Sequence, residues 1–129
     1  MRFVLWLCGT LFITANVYAQ TTSYISDAEV LNVRVYSDGR FGGCGAQISK
    51  NINTSGSNPL SCGKTTFISF DCEGAYVSKA SGQSLFQMMQ LAMVSNRLVD
   101  VVVDQTRVWN ETTCTGTYAI VKLPVPQAQ

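Results

Sequence analysis

Lys64-Thr-Thr-Phe-Ile-Ser-Phe-Asp-Cys72, then Ser84-Leu-Phe-Gln-Met-Met-Gln-Leu-Ala-Met-Val94, then Leu98-Val-Asp-Val-Val-Val-Asp104 is the stretch that decides the fold. In the first segment aromatic and β-branched residues alternate with small polar ones, the pattern of a strand. The second carries apolar residues at Leu85, Met88, Met89 and Ala92, the stripe of a helix with one buried face. The third returns to a strand with Val99, Val101 and Val103 on one face, which leaves Asp100 and Asp104 as its wet face. Strand, helix, strand is the nucleus around which the other segments are expected to complete a sheet.

Outward toward the N-terminus, Leu31, Val33 and Val35 alternate with Asn32, Arg34 and Tyr36, which predicts a strand over 29–36. Asp38-Gly39 between two extended runs is a hairpin signal. The return strand over 41–48 holds three glycines, which predict a bulge or sharp bend. Residues 49–61 are loop by composition, and 20–26 read as a polar, fraying lead-in. Ser81 or Ser84 is the expected helix cap, and Asn96 the left-handed residue that ends the helix. Beyond Asp104 a polar hairpin over 105–113 carries Trp109, and 114–123 is the last strand, stopped by Pro124 and Pro126. The order β-β-β-α-β-β makes the chain mainly β and is that of the OB-fold, a small Greek-key barrel with one helix between strands 3 and 4. An open α+β sheet with the helix on one face is the alternative.

Residues 1–19 read as a secretory leader: Arg2, an apolar run from Phe3 to Ile13, and Val17-Tyr-Ala19 as the cleavage signal. The apolar run is short of the ~20 residues that span a bilayer. Residues 20–129 then form a single domain, secreted or periplasmic. Nine Lys and Arg less Arg2 leave eight, against eight Asp and Glu, so the mature part is formally neutral. That is a poor footprint for nucleic acid or an anionic membrane. Of five cysteines, Cys8 leaves with the leader; Cys44, Cys62, Cys72 and Cys114 are an even set expected to form two disulfides. With no C-x-x-C pair and no histidine, neither a metal nor a cofactor is expected.

The absence of histidine also excludes Ser-His-Asp and Cys-His sites. Asp71 and Glu73 read as two solvated charges at a strand end rather than a hydrolytic pair, which needs carboxylates set across a cleft. An enzyme is not expected. Trp109 on its hairpin is either packed back on the core or offered to a ligand, as aromatic platforms in sugar and partner sites are. Ala80 to Asn96 holds no charge; Leu91 and Val94 fall opposite the core stripe among Gln87 and Gln90, which points to a partner surface.

Val33-Arg-Val-Tyr-Ser-Asp-Gly39, Cys62-Gly-Lys-Thr-Thr-Phe-Ile-Ser-Phe70, a helix with Leu85 and Leu91-Ala92, a Val-rich strand and a late Cys before Tyr-Ala-Ile-Val121 share a layout with small exported bacterial proteins. In that layout the chain resembles the B subunits of pentameric AB-type toxins of the pertussis-like and subtilase kinds, over about residues 30–125. The resemblance implies a non-catalytic glycan-binding module that forms a ring, neighbours paired strand to strand and helices lining a channel. Sialic-acid-binding members place a Ser and a Tyr before the cysteine of the second strand. Arg40-Phe-Gly-Gly-Cys44 supplies neither, so those contacts do not carry over; Tyr36, Arg40 and Phe41, with Trp109, are the ligand-site candidates. In such a barrel the third and fifth strands run parallel, which implies the pairs Cys62–Cys114 and Cys44–Cys72. An exported protein–protein module, such as an inhibitor or envelope component, is the alternative function.

Overall fold

The computed structural model describes residues Gln20 to Pro124. The expected leader, residues 1–19, and residues 125–129 with Pro126 lie outside the described residues. Six strands and one helix follow in the order β1 Thr22–Ala28, β2 Val30–Val35, β3 Cys44–Ile48, β4 Phe67–Ser69, α1 Lys79–Ser95, β5 Val99–Trp109 and β6 Thr113–Val121. They form one mixed sheet, β1-β5-β6-β4-β3-β2, in which only the β4–β6 pair is parallel, Ser69 facing Thr115. The protein is thus mainly β. β1 and β2 lie at opposite ends of the strand order, yet Glu29 alone separates them in the chain, so one run of backbone supplies both ends of the sheet.

β1 corrects the expectation of a fraying lead-in over 20–26, and the strand and helix order becomes β-β-β-β-α-β-β. The strand is polar because its neighbours satisfy it. Ser23 is buried and its hydroxyl accepts the Asn58 N–H, while the Ser57 N–H donates to the Tyr24 carbonyl and Lys50 Nζ to that of Ser26. The loop over 50–58 therefore covers the edge of β1 that β5 leaves free. β2 also departs from its expected faces: Leu31 and Val35 are exposed, Val33 is half-buried, and Val30 faces the core. A register shift between Val30 and Asn32 turns the strand over, and a bulge of this kind exchanges the two faces beyond it.

Three more boundaries move. The return strand begins only at Cys44, because Arg40–Gly43 forms a 3-10 segment broken by left-handed residues. β4 shrinks to three residues from the predicted 64–72, its pairing confined to Gln47–Gly45 on one side and Thr115 on the other. The expected hairpin over 105–113 is mostly strand, β5 and β6 pairing out to Trp109 and Thr113 around a tip at Asn110 and Glu111.

α1 starts earlier than its apolar stripe suggests. Ser78, not Ser81 or Ser84, caps it, its Oγ accepting the Ser81 N–H at 3.1 Å. Asn96 ends it at φ 52°, ψ 48°. The buried face is Gly82, Phe86, Met89 and Ala92, whereas Leu85 and Met88 are half-buried at its flank. Gly82 sets this rotation: a Cβ there would collide with the backbone carbonyls of Phe70 and Asp71, so the helix packs on the β4 exit at a distance only glycine allows. With Ile25, Ile48, Ile68, Phe70, Val99, Val101 and Val103 fully buried, the core lies between this helix and the sheet.

Two disulfides, Cys44–Cys72 and Cys62–Cys114, hold the sheet at sequence separations of 28 and 52 residues. In the chain-entropy account loops of that size each stabilise by about 4 kcal/mol. Such bonds belong to an oxidising environment. No helix among the described residues is long and apolar enough to cross a membrane.

Candidate binding surface at the glycine-rich turn

Three segments converge at one end of the sheet: the turn over 36–43 between β2 and β3, the tip of the β5–β6 hairpin, and the loop that leads from β4 into α1. The first is a tight structure. The Gly39 N–H donates to the Tyr36 carbonyl and the Tyr36 N–H to that of Gly43, and Asp38 pairs with Arg40 at 2.6 Å. Inside it Phe41 sits at φ 51°, ψ 34°. A bulky side chain in the left-handed region costs of the order of 1–3 kcal/mol and persists only where its surroundings impose it.

Those surroundings are aromatic. Tyr36 and Phe41 meet edge to face at 5.1 Å between centroids, and Phe67 of β4 closes a triangle at 6.0 Å from Phe41 and 6.3 Å from Tyr36. The Arg40 guanidinium lies 5.6 Å from the Tyr36 ring and that of Arg34 5.5 Å from Phe67. Tyr36 and Phe41 are half-buried and Arg34 and Arg40 exposed, so those two rings and both guanidinium groups reach the surface together, with Phe67 buried beneath them. From the hairpin tip, Asn110 Oδ1 accepts the Phe41 N–H at 3.0 Å, which fixes the strained residue from the opposite side.

Trp109 is half-buried and packed on the body. Its ring meets Tyr76 edge to face at 5.6 Å, and Tyr76 in turn donates its hydroxyl to the Val108 carbonyl. A Cβ on Gly42 would lie 2.8 Å from Trp109 Nε1 and 2.6 Å from Ser69 Oγ, so the glycine is what lets the turn lie down on the indole. That Nε1 is buried and has no hydrogen-bond partner among the described residues. The four residues singled out from sequence thus divide: Tyr36, Arg40 and Phe41 form one cluster, and Trp109 is the floor beneath the turn that carries them.

Phe67, Arg34 and Asn110 were not singled out. Arg34 shares a strand face with Tyr36 by simple alternation, a signal available in the sequence. Phe67 and Asn110 are brought there by β3–β4 pairing and by the reversal of the hairpin, and no local pattern marks them.

The carboxylates differ from expectation. Asp71 is fully buried rather than solvated: Oδ1 accepts the N–H groups of Gly74 and Ala75, and Oδ2 those of Tyr76 and Val77, at 2.6–3.1 Å. It holds the loop that supports Trp109 and starts α1. Glu73 is exposed and lies against Gly39 and Gly43. Asp100 and Asp104 are also buried, at 5% and 8% exposure, which corrects their reading as a wet face. Tyr24 donates its hydroxyl to Asp100 Oδ2, the Asp27 N–H donates to Oδ1, and Lys122 lies 3.0 Å away, bridging to Asp27 at 2.6 Å. Burial pushes the Asp100 carboxyl up, but the hydrogen bonds from Tyr24, Asp27 and Lys122 outweigh it and hold it below the usual range. Asp104 takes the Thr106 N–H and hydroxyl and pairs with Arg107 at 3.3 Å. The three buried carboxylates, Asp71, Asp100 and Asp104, are each held by structural donors. Among the described residues no group of three or more acidic or cysteine side chains is placed to hold a metal ion.

Gln87, Gln90, Leu91 and Val94 form an exposed strip on α1, with Leu91 at 54% and Val94 at 76% exposure. Comparison of the chain with protein-family models, curated proteins and solved structures finds no match.

Proposed function

We propose that the protein is an exported, non-catalytic binding module of OB-fold type, akin to toxin B subunits, that recognises a cell-surface glycan through Tyr36, Phe41 and Arg40, with Trp109 supporting the turn from below. The fold assignment is supported by the strand order. Taken as one kinked strand, β1 and β2 reduce the sheet to five strands that return on themselves, with a parallel contact between the third and the fifth. The observation that carries the function is Phe41: a bulky aromatic held in a left-handed conformation, on an exposed turn, beside the Tyr36 and Phe67 rings, on which the Arg40 and Arg34 guanidinium groups lie. Sugar recognition uses apolar ring faces beside a few fixed polar groups, and this cluster offers both.

Oligomerisation belongs to the same reading. The edge of β1 is covered by the loop over 50–58, but β2 has no backbone partner on its outer side among the described residues. Among the described residues β6 has no strand beside it beyond Thr115 on the side of β4. An uncharged groove of about 380 Å³ with Leu85, Met88, Thr117 and Tyr118 among its walls runs between α1 and that stretch of β6. Open edges are templates for another chain. A ring would place several weak sites on one plane and raise avidity without a new contact.

The test is a glycan array probed with the oxidised protein and with Phe41→Asn. Asparagine tolerates the left-handed region, so the variant keeps the turn and loses the ring. Binding that Phe41→Asn abolishes, at a stability within about 1 kcal/mol of wild type, is the expected result. Binding unaffected by the substitution, or no binding to any glycan, would remove the proposal.

A further inference from the structure

Removal of the leader after Ala19 leaves Gln20 as the amino-terminal residue, and the fold treats this residue in a particular way. Asn58 donates from Nδ2 to Gln20 Oε1 at 3.1 Å, and Gln105 from Nε2 to the Gln20 carbonyl at 3.3 Å. Both donors are themselves anchored. The Asn58 N–H is bound to Ser23 Oγ at 3.1 Å and its Nδ2 also reaches the Thr22 carbonyl at 3.0 Å; the Gln105 N–H is bound to the Thr21 carbonyl at 2.9 Å. Gln20 is exposed, so its terminal amine has room to turn back on its own side chain.

We propose that Gln20 is a modification site, converted on the folded protein to an amino-terminal pyroglutamate. The α-amine attacks Cδ of its own side chain. A bond forms between the α-nitrogen and Cδ, the Cδ–Nε2 bond breaks, and Nε2 leaves as ammonia with the proton the amine gives up. No oxidant, reductant or second substrate takes part. An α-amine with an ordinary pKa of about 7.7–8.0 is partly unprotonated near neutrality and so nucleophilic. The Asn58 hydrogen bond draws electron density from the side-chain carbonyl and stabilises the charge that builds on Oε1 as the amine adds. The lactam keeps a carbonyl oxygen for Asn58, while the terminal positive charge is lost and the end of β1 resists aminopeptidases.

The proposal rests on removal of residues 1–19, and one experiment separates the two. The protein is secreted from a host that processes the leader, incubated oxidised at neutral pH, and followed by intact mass and amino-terminal sequencing. The expected course is a chain starting at Gln20 that becomes lighter by one ammonia and blocked to sequencing. Retention of residues 1–19 overturns the leader assignment; a chain that starts at Gln20 and keeps its free amine overturns the cyclisation. A preorganised donor in an enclosed site supplies ~100-fold or more, and at this exposed one a roughly threefold slowing is expected for Asn58→Ala. The wild-type chain in concentrated urea should slow likewise, a comparison that does not depend on the variant folding. Unchanged rates in both remove Asn58 from the reaction.

Discussion

Asp71 shows how much a single buried group organises. Its two oxygens accept four consecutive backbone N–H groups, from Gly74 to Val77, just ahead of the Ser78 cap. Removing the acceptor leaves the Ala75, Tyr76 and Val77 N–H groups without that partner, while the Gly74 N–H keeps the Asp71 carbonyl, and bonds to a charged group are worth about 1.5–3 kcal/mol each in the most favourable settings. Asp71→Ala is expected to lower stability by about 3 kcal/mol or more, with Asp71→Asn intermediate because one oxygen remains; urea unfolding of the oxidised protein measures both. Equal midpoints for all three proteins would show that the loop holds without its carboxylate. Phe41 is the complementary case, a residue whose left-handed conformation costs stability.

At the scale of elements, α1 and the β1–β5–β6 ladder each invert a simple rule. Gly82 lies inside a helix, where Gly→Ala ordinarily stabilises by about 1 kcal/mol. Here the added methyl meets two carbonyl oxygens that belong to the β4 exit. Gly82→Ala is therefore expected to reduce stability and the melting temperature, and a stabilised variant would refute this account of the helix docking. In the ladder, Asp100 of β5 joins Tyr24 and Asp27 of β1 to Lys122, the residue just after β6. Its pKa is depressed in the folded state, so it contributes stability that is present above the ordinary carboxylate pKa and is lost as pH falls through the folded value. The Lys122 pKa is raised, first by Asp27 and then by Asp100, so its contribution is present below its ordinary value and is lost only in strong alkali. The stability of wild type should consequently decline below about pH 4 more steeply than that of Asp100→Asn. Parallel acid limbs in the two proteins would contradict the assignment.

At the scale of the whole molecule, three elements present large apolar side chains to solvent. Leu91 and Val94 on α1, Leu31 and Val35 on β2, and Tyr118 and Ile120 on β6 are large apolar residues at 39–76% exposure. In the proposed ring, neighbours cover them. Light scattering on the oxidised protein at micromolar concentration should report an oligomer that Leu91→Lys dissolves to a folded monomer. A monomeric wild type, unchanged by the substitution, would sink the ring while leaving the aromatic site to be tested separately.

Sequence alone was sufficient for what depends on neighbours along the chain. The alternation of Val99, Val101 and Val103 marks a strand whose valine face is buried, Asn96 ends the helix because its short amide side chain tolerates the left-handed region, and the even set of four cysteines makes two disulfides. Tertiary structure alone decided which polar residues are buried and which way the elements face. Ser23 and Asp100 look solvent-facing in any local pattern; they are interior because partners 35 and 76 residues away complete their hydrogen bonds. The helix stripe is ambiguous within one turn until Gly82 meets the β4 exit. Phe41 reads as an ordinary strand residue until Asn110, 69 residues on, holds its backbone in a left-handed turn. Periodicity registers the apolar surface a segment must hide, but hydrogen bonds and close contacts between distant segments exist only once the chain has folded, and they place the candidate site.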